Sequence, residues 1–84
     1  MSGTIRYWAA AKAAAGVAEE PFAESVLADV LAAVTERHGE VLRQVVRRSS
    51  FLVDGDPVGL RDPRTVELAP GSVVEVLPDR KSVV

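Results

Sequence analysis

The chain has 84 residues and a mass of 8.9 kDa, room for one domain, and a two-domain organisation is excluded. Its 48% hydrophobic content must supply the core unaided, because cysteine is absent and with it disulfide staples, thiolate catalysis and zinc ribbons. Ten basic residues against twelve acidic ones, a net charge of −2, give neither a nucleic-acid footprint nor a disordered composition.

In chain order, Thr4 to Ala9 (TIRYWA) is β-branched and aromatic, and a period of two puts Ile5, Tyr7 and Ala9 on one face of a strand and Thr4, Arg6 and Trp8 on the other. Ala10 to Gly16 combines strong helix formers with the residue most common just past a helix end, which predicts one or two short helical turns. The alanines around Lys12 imitate a secretory cleavage region, but Lys12 interrupts the apolar run, and no stretch reaches the roughly eighteen residues a membrane span needs. A reducing cytoplasm is the expected location. Val17 to Ala23 reads as a short strand that Pro21 confines to a sheet edge, since proline cannot donate to a ladder.

Ser25 is placed to cap a helix from Val26 to His38, whose Leu27, Val30, Leu31, Val34 and His38 share one face. Gly39 ends it, and Val41, Leu42, Val45 and Val46 carry helical character on to about Arg47. Ser50 to Leu60 is a hairpin around Asp54-Gly55, residues that tolerate positive φ. Thr65 to Leu68 (TVEL) reads as a further strand, Pro70-Gly71 as a type II turn, and Val73 to Pro78 as the last strand. An amphipathic helix must bury its stripe, and the one surface available is a face of a mixed four- or five-stranded sheet: an α+β, β-grasp architecture with one main helix packed on one face. The first and last strands then lie side by side near the middle, joined by a right-handed crossover. If Ile5, Tyr7, Val74 and Val76 face the helix, Trp8 and Leu77 stand on the uncovered face, where adjacent aromatic and aliphatic groups make a docking patch.

The residues offer little chemistry of their own. His38 is the one histidine, and a capping or packing role at the helix end suits it better than a metal site or a catalytic triad. Glu19-Glu20 and Asp54/Asp56 read as solvated carboxylates, and Arg43, Arg47 and Arg48 as a solvated basic strip, with part of a partner contact as the alternative. No phosphate-binding glycine spacing exists. No metal, cofactor or catalytic residue is expected, and the chain reads as a protein that binds or is acted upon.

The segments TIRYWAAAKAAAG, SVLADVLAAVTERHG, FLVDGDPVG and LAPGSVVEVLP, in that order, resemble the MoaD/ThiS family of ubiquitin-like sulfur carriers, most of all its molybdopterin synthase small subunits. The resemblance spans Thr4 to Pro78 and implies a β-grasp domain over residues 1–78 with a flexible tail over 79–84. It also implies a carrier, not an enzyme, whose C-terminus a MoeB/ThiF-like adenylating enzyme activates and converts to a thiocarboxylate. The sulfur would serve molybdopterin, thiamine thiazole or a related product, and a synthase large subunit is a possible second partner. By the same resemblance Trp8, Leu77 and Pro78 stand at partner contacts, and Pro57 or Val58 near a further one. The departure is at the end, where family carriers finish in Gly-Gly and this sequence has Ser82, Val83 and Val84. Two β-branched valines stiffen and widen a tail that must thread a narrow channel, so it is expected not to be competent for activation as written. The alternative is a β-grasp binding module that holds partners through the Trp8/Leu77 face without carrying sulfur.

Overall fold

The computed structural model describes residues 3–78. Strand β1 (Gly3–Tyr7) is followed by helix α1 (Ala9–Ala15), strand β2 (Glu19–Phe22), helices α2 (Leu27–His38) and α3 (Glu40–Arg47), strands β3 (Ser49–Val53) and β4 (Asp56–Pro57), a 3₁₀ turn over Pro63–Thr65, and strand β5 (Val73–Pro78). The five strands form one sheet in the order β2-β1-β5-β3-β4. β1 and β5 are parallel at its centre, with Ile5 opposite Val74 and Tyr7 opposite Val76, and the other pairs are antiparallel. This is the predicted mixed β-grasp sheet with the first and last strands adjacent.

Period-two alternation decides the core. Ile5, Tyr7, Val74 and Val76 lie on one side of the sheet under Leu27, Val30 and Val34 of α2 and Leu42 of α3, all of them buried. Each such side chain contributes roughly 1.5–3 kcal/mol through removal from water. Three helices share the covering: α2 is the main one, while α1 places Ala11 and Ala15 and α3 places Leu42 into the same core. Gly39, at φ 95°, separates α2 from α3 so that the chain changes direction and still presents an apolar face.

Four local readings differ from the structure. β1 stops at Tyr7: the Trp8 carbonyl accepts from Ala11 N–H at 2.9 Å as the first acceptor of α1, and Ala9, at φ 48°, has left the strand and is exposed. Ser25 does not cap α2. The helix starts after Val26 without a side-chain cap, because segment 66–68 binds its entry: Leu27 N–H donates to Val66 C=O at 2.9 Å and Leu68 N–H to Ser25 C=O at 2.8 Å. Those bonds also explain why Thr65 to Leu68 is not a sheet strand. Asp62 caps the 3₁₀ turn through Arg64 N–H, and what remains is a single bridge between Val26 and Glu67. Val58, read as a surface candidate, is 4% exposed and belongs to the core. The hairpin is as expected, with positive φ at both Asp54 and Gly55, and the Pro70-Gly71 turn closes through Ser72 N–H to Ala69 C=O at 3.0 Å. Among the described residues no helix is long and apolar enough to cross a membrane.

Candidate functional site

The face of the sheet turned away from the helices carries the candidate site. Register places Arg6 with Glu19, Leu77 with Ser50, and Leu52 with Glu75 and Pro57 on this side. Trp8, just past β1, is 45% exposed. Its backbone N–H donates to Val76 C=O at 3.2 Å, and its indole Nε1 donates to Glu75 Oε1 at 3.1 Å, which holds the ring against the outer surface of β5. Leu77 and Leu52 are half-buried and Pro57 is exposed, so an apolar band crosses the sheet from Trp8 on the β1 side to Pro57 on the β4 edge. The salt bridge between Arg6 and Glu19, at 3.2 Å with both side chains about half exposed, flanks it and contributes little to stability.

Of the residues expected to bind partners, the structure brings Trp8, Leu77 and Pro57 together on this face. Val58 is withdrawn into the core. Pro78, paired with Ser49, falls by alternation on the helix side of β5 and marks where the described chain ends. Ser82, Val83 and Val84 lie outside the described residues.

Sequence reasoning missed Leu60, which is fully exposed at 106% of its reference area. It follows Gly59, at φ 62°, on a well-anchored loop: Arg61 Nε donates to Val58 C=O and Arg61 Nη2 to Pro57 C=O, each at 3.1 Å, and Asp62 pairs with Arg64 at 2.7 Å. That pairing holds the Asp62 carboxyl below its ordinary value. A leucine held out by such a loop adds an exposed apolar side chain beyond the sheet edge, lining one groove with Ser50 and Phe51 of β3. No periodicity marks it in the sequence; an apolar residue inside a Gly-x-Arg-Asp-Pro loop was the available signal.

The second missed feature is Glu20, read as a solvated carboxylate. It pairs with Ile5 and so points to the helix side, where its side chain is only 12% exposed. Three donors converge on it: Tyr7 OH at 2.5 Å, His38 Nε2 at 2.6 Å and Arg37 Nη1 at 2.6 Å. Burial pulls the Glu20 carboxyl upward, but the three hydrogen bonds outweigh it and leave its pKa below the usual value. An ionised carboxylate has no hydrogen to give, so His38 Nε2 carries the proton. Burial, first, and the bond to Glu20, second, push the Tyr7 phenol far up. His38 also packs edge-on against the Tyr7 ring, with centroids 6.1 Å apart. The cluster joins β1, β2 and the end of α2 on the side opposite the apolar band, and it serves as a latch.

No protein-family model and no curated protein matches this chain. Solved structures do. Small archaeal modifier protein 1 from Methanosarcina acetivorans aligns with a TM-score of 0.83 at 18% identity, over 95% of this chain and 94% of that one. A putative molybdopterin converting factor subunit 1 from Pyrococcus furiosus aligns at 0.77 and 25% identity, over 93% and 97%. The complex of subunits 1 and 2 of the molybdopterin-converting factor from Helicobacter pylori aligns at 0.69 and 18% identity, over 94% and 95%. The chain has the ubiquitin-like β-grasp fold of these structures over nearly its whole length.

Proposed function

We propose that the protein is a ubiquitin-like sulfur carrier of the MoaD/ThiS type, acted upon by partner enzymes rather than catalytic itself. The observation that carries this reading is the apolar band of Trp8, Leu77, Leu52, Pro57 and Leu60 beside the end of β5. A partner seated on the band is within reach of the chain that follows Pro78. The partners would be a MoeB/ThiF-like adenylating enzyme and the large subunit of a molybdopterin synthase. The second has support in the neighbouring Helicobacter pylori structure, in which subunit 1 of the molybdopterin-converting factor is in complex with subunit 2. In the activation step the terminal carboxylate attacks ATP and releases pyrophosphate. Sulfide-level sulfur from a donor then attacks the acyl carbon, forms the C–S bond and displaces AMP, leaving a thiocarboxylate.

The exposed Trp8 and the half-buried Leu77 on the uncovered face also suit a second reading, in which the same band holds a partner and no sulfur is carried. Intact mass spectrometry separates the two. The protein is incubated with ATP, a sulfur donor and an adenylating enzyme, and a gain equal to sulfur replacing one terminal oxygen supports the carrier. An unchanged mass here, with a gain after Gly-Gly is grafted at the end, supports the binding module. No gain in either form removes the carrier reading.

A further inference from the structure

Strand β3 is paired on its outer edge over only part of its length. The ladder to β4 ends with Leu52 opposite Pro57, and one more bond, Val58 N–H to Phe51 C=O at 2.9 Å, closes it. Beyond that point the Val58 carbonyl turns to Arg61, accepting from its N–H at 3.3 Å and its Nε at 3.1 Å. The loop is thereby drawn away from β3 and held by its own bonds.

The alternation of an antiparallel ladder tells which groups of β3 are left open. Asp54 N–H donates to Val73 C=O, so the backbone groups of Asp54, Leu52 and Ser50 turn to β5, and those of Val53, Phe51 and Ser49 turn to the outer edge. Phe51 N–H and Ser49 C=O have no backbone partner on that edge among the described residues. They border a groove of about 220 Å³ whose lining includes Ser49, Ser50, Phe51, Leu60, Arg61 and Pro63.

A donor and an acceptor on either side of one residue suit an added strand, and a parallel one satisfies both with a single residue. An incoming residue opposite Ser50 would donate its N–H to Ser49 C=O and accept from Phe51 N–H. Its side chain would stand on the outer face with Ser50 and Leu77, next to the exposed Leu60. The residues before and after it would turn to the helix face, where α3 ends at Arg47 and Arg48. Both arginines are exposed, and among the described residues neither they nor Arg61 forms an ion pair. We propose that this open stretch of β3 takes an extended segment of a partner protein as a sixth, parallel strand, apolar opposite Ser50 and acidic on either side. The proposal does not rest on the carrier reading: the added strand would share Leu60 and Leu77 with the apolar band but needs nothing of Trp8, which stands two strands away across the sheet.

The test titrates the ¹⁵N-labelled full chain with a capped Glu-Val-Glu-Val-Glu-Val peptide and with its Lys-Val counterpart, following amide shifts and hydrogen exchange. The acidic peptide is expected to shift the Phe51 and Leu60 amides, to slow Phe51 N–H exchange about tenfold or more, and to bind about tenfold more tightly than the basic one. The double substitution Arg47→Glu, Arg48→Glu removes that preference, whereas Trp8→Ala leaves it intact. Any of four results overturns the proposal: a Phe51 N–H already protected in the free chain, equal responses to both peptides, no shift at Phe51 with either, or a shift that follows self-association of the chain alone. If the arginine variant does not fold, the exchange of Phe51 in the natural sequence still decides.

Discussion

Replacing Glu20 by glutamine tests whether the latch between the edge strand and α2 is structural. The Arg37 arm contributes least, since that side chain is 56% exposed and such a pair is worth about 0–1 kcal/mol. Tyr7 is 2% exposed and the His38 side chain 17%, and hydrogen bonds from such groups to a charged acceptor contribute about 1.5–3 kcal/mol each. Glutamine keeps one acceptor oxygen but turns an NH₂ toward the remaining donors, so a net loss of about 2–4 kcal/mol is expected. A domain of this size has a total stability of roughly 4–13 kcal/mol, and the melting temperature should fall by roughly 10–25 °C. Circular dichroism melts at pH 7 measure it. The pH dependence gives an independent reading. The folded Glu20 carboxyl lies below its ordinary 4.5, so its contribution is present above that pH and lost as pH falls through the lower folded value. The natural chain should lose stability more steeply in acid than Glu20→Gln. A loss under about 0.5 kcal/mol at pH 7, or parallel acid slopes, would refute the latch.

Leu60→Ala should leave the melting temperature unchanged and weaken binding of an adenylating enzyme or synthase large subunit at least about tenfold by titration calorimetry; unchanged affinity would remove Leu60 from the interface. Trp8→Ala should weaken the same binding, and because the indole is half covered and bonded to Glu75 it should also cost about 1–2 kcal/mol of stability in denaturant titrations. Gly3→Ala drives a Cβ into Ser72 C=O and to 2.5 Å from the Phe22 ring, so the start of β1 must shift from the segment before β5 and from β2, and a loss of about 1–3 kcal/mol should appear in the same titrations. The Tyr7 phenol is held protonated above its ordinary 10.0, so its contribution is complete below that pH and declines as pH rises past it; phenolate absorbance should therefore appear together with unfolding rather than before it.

The sheet was legible because alternation in β1 and β5 is uninterrupted, and two residues on each strand, Ile5 with Tyr7 and Val74 with Val76, settle which side is inside. Trp8 and Leu77 followed from that same parity. Thr65 to Leu68 misled because four residues alternate by chance more easily than six, and the Asp62-Pro63 pair just before them sets a capped turn that uses the backbone first. The choice between Pro57 and Val58 turned on register: the two-residue turn at Asp54-Gly55 fixes Pro57 opposite Leu52 on the outer face and sends Val58 inward. Glu20 was unreadable for a different reason. Its donors come from positions 13, 17 and 18 residues away, and no local pattern foretells a carboxylate that an edge strand turns beneath a helix end.

The latch and the bare face are two consequences of one arrangement. Three helices crowd one side of a five-stranded sheet, and among the described residues no element covers the other side. The edge strand β2 is short and interrupted by Pro21, which gives it few ladder bonds of its own; the Glu20 cluster supplies from the helix side the attachment that the ladder lacks. With β2 held from that side, the outer face needs no covering element to keep the sheet together. Its charged residue nearest the centre, Glu75, already has the Trp8 indole as a donor, so a partner that buries this face meets a carboxylate with one hydrogen bond in place. An apolar band whose polar atoms are partly satisfied before contact would lose less on docking than one whose carboxylate had to give up its water unpaired.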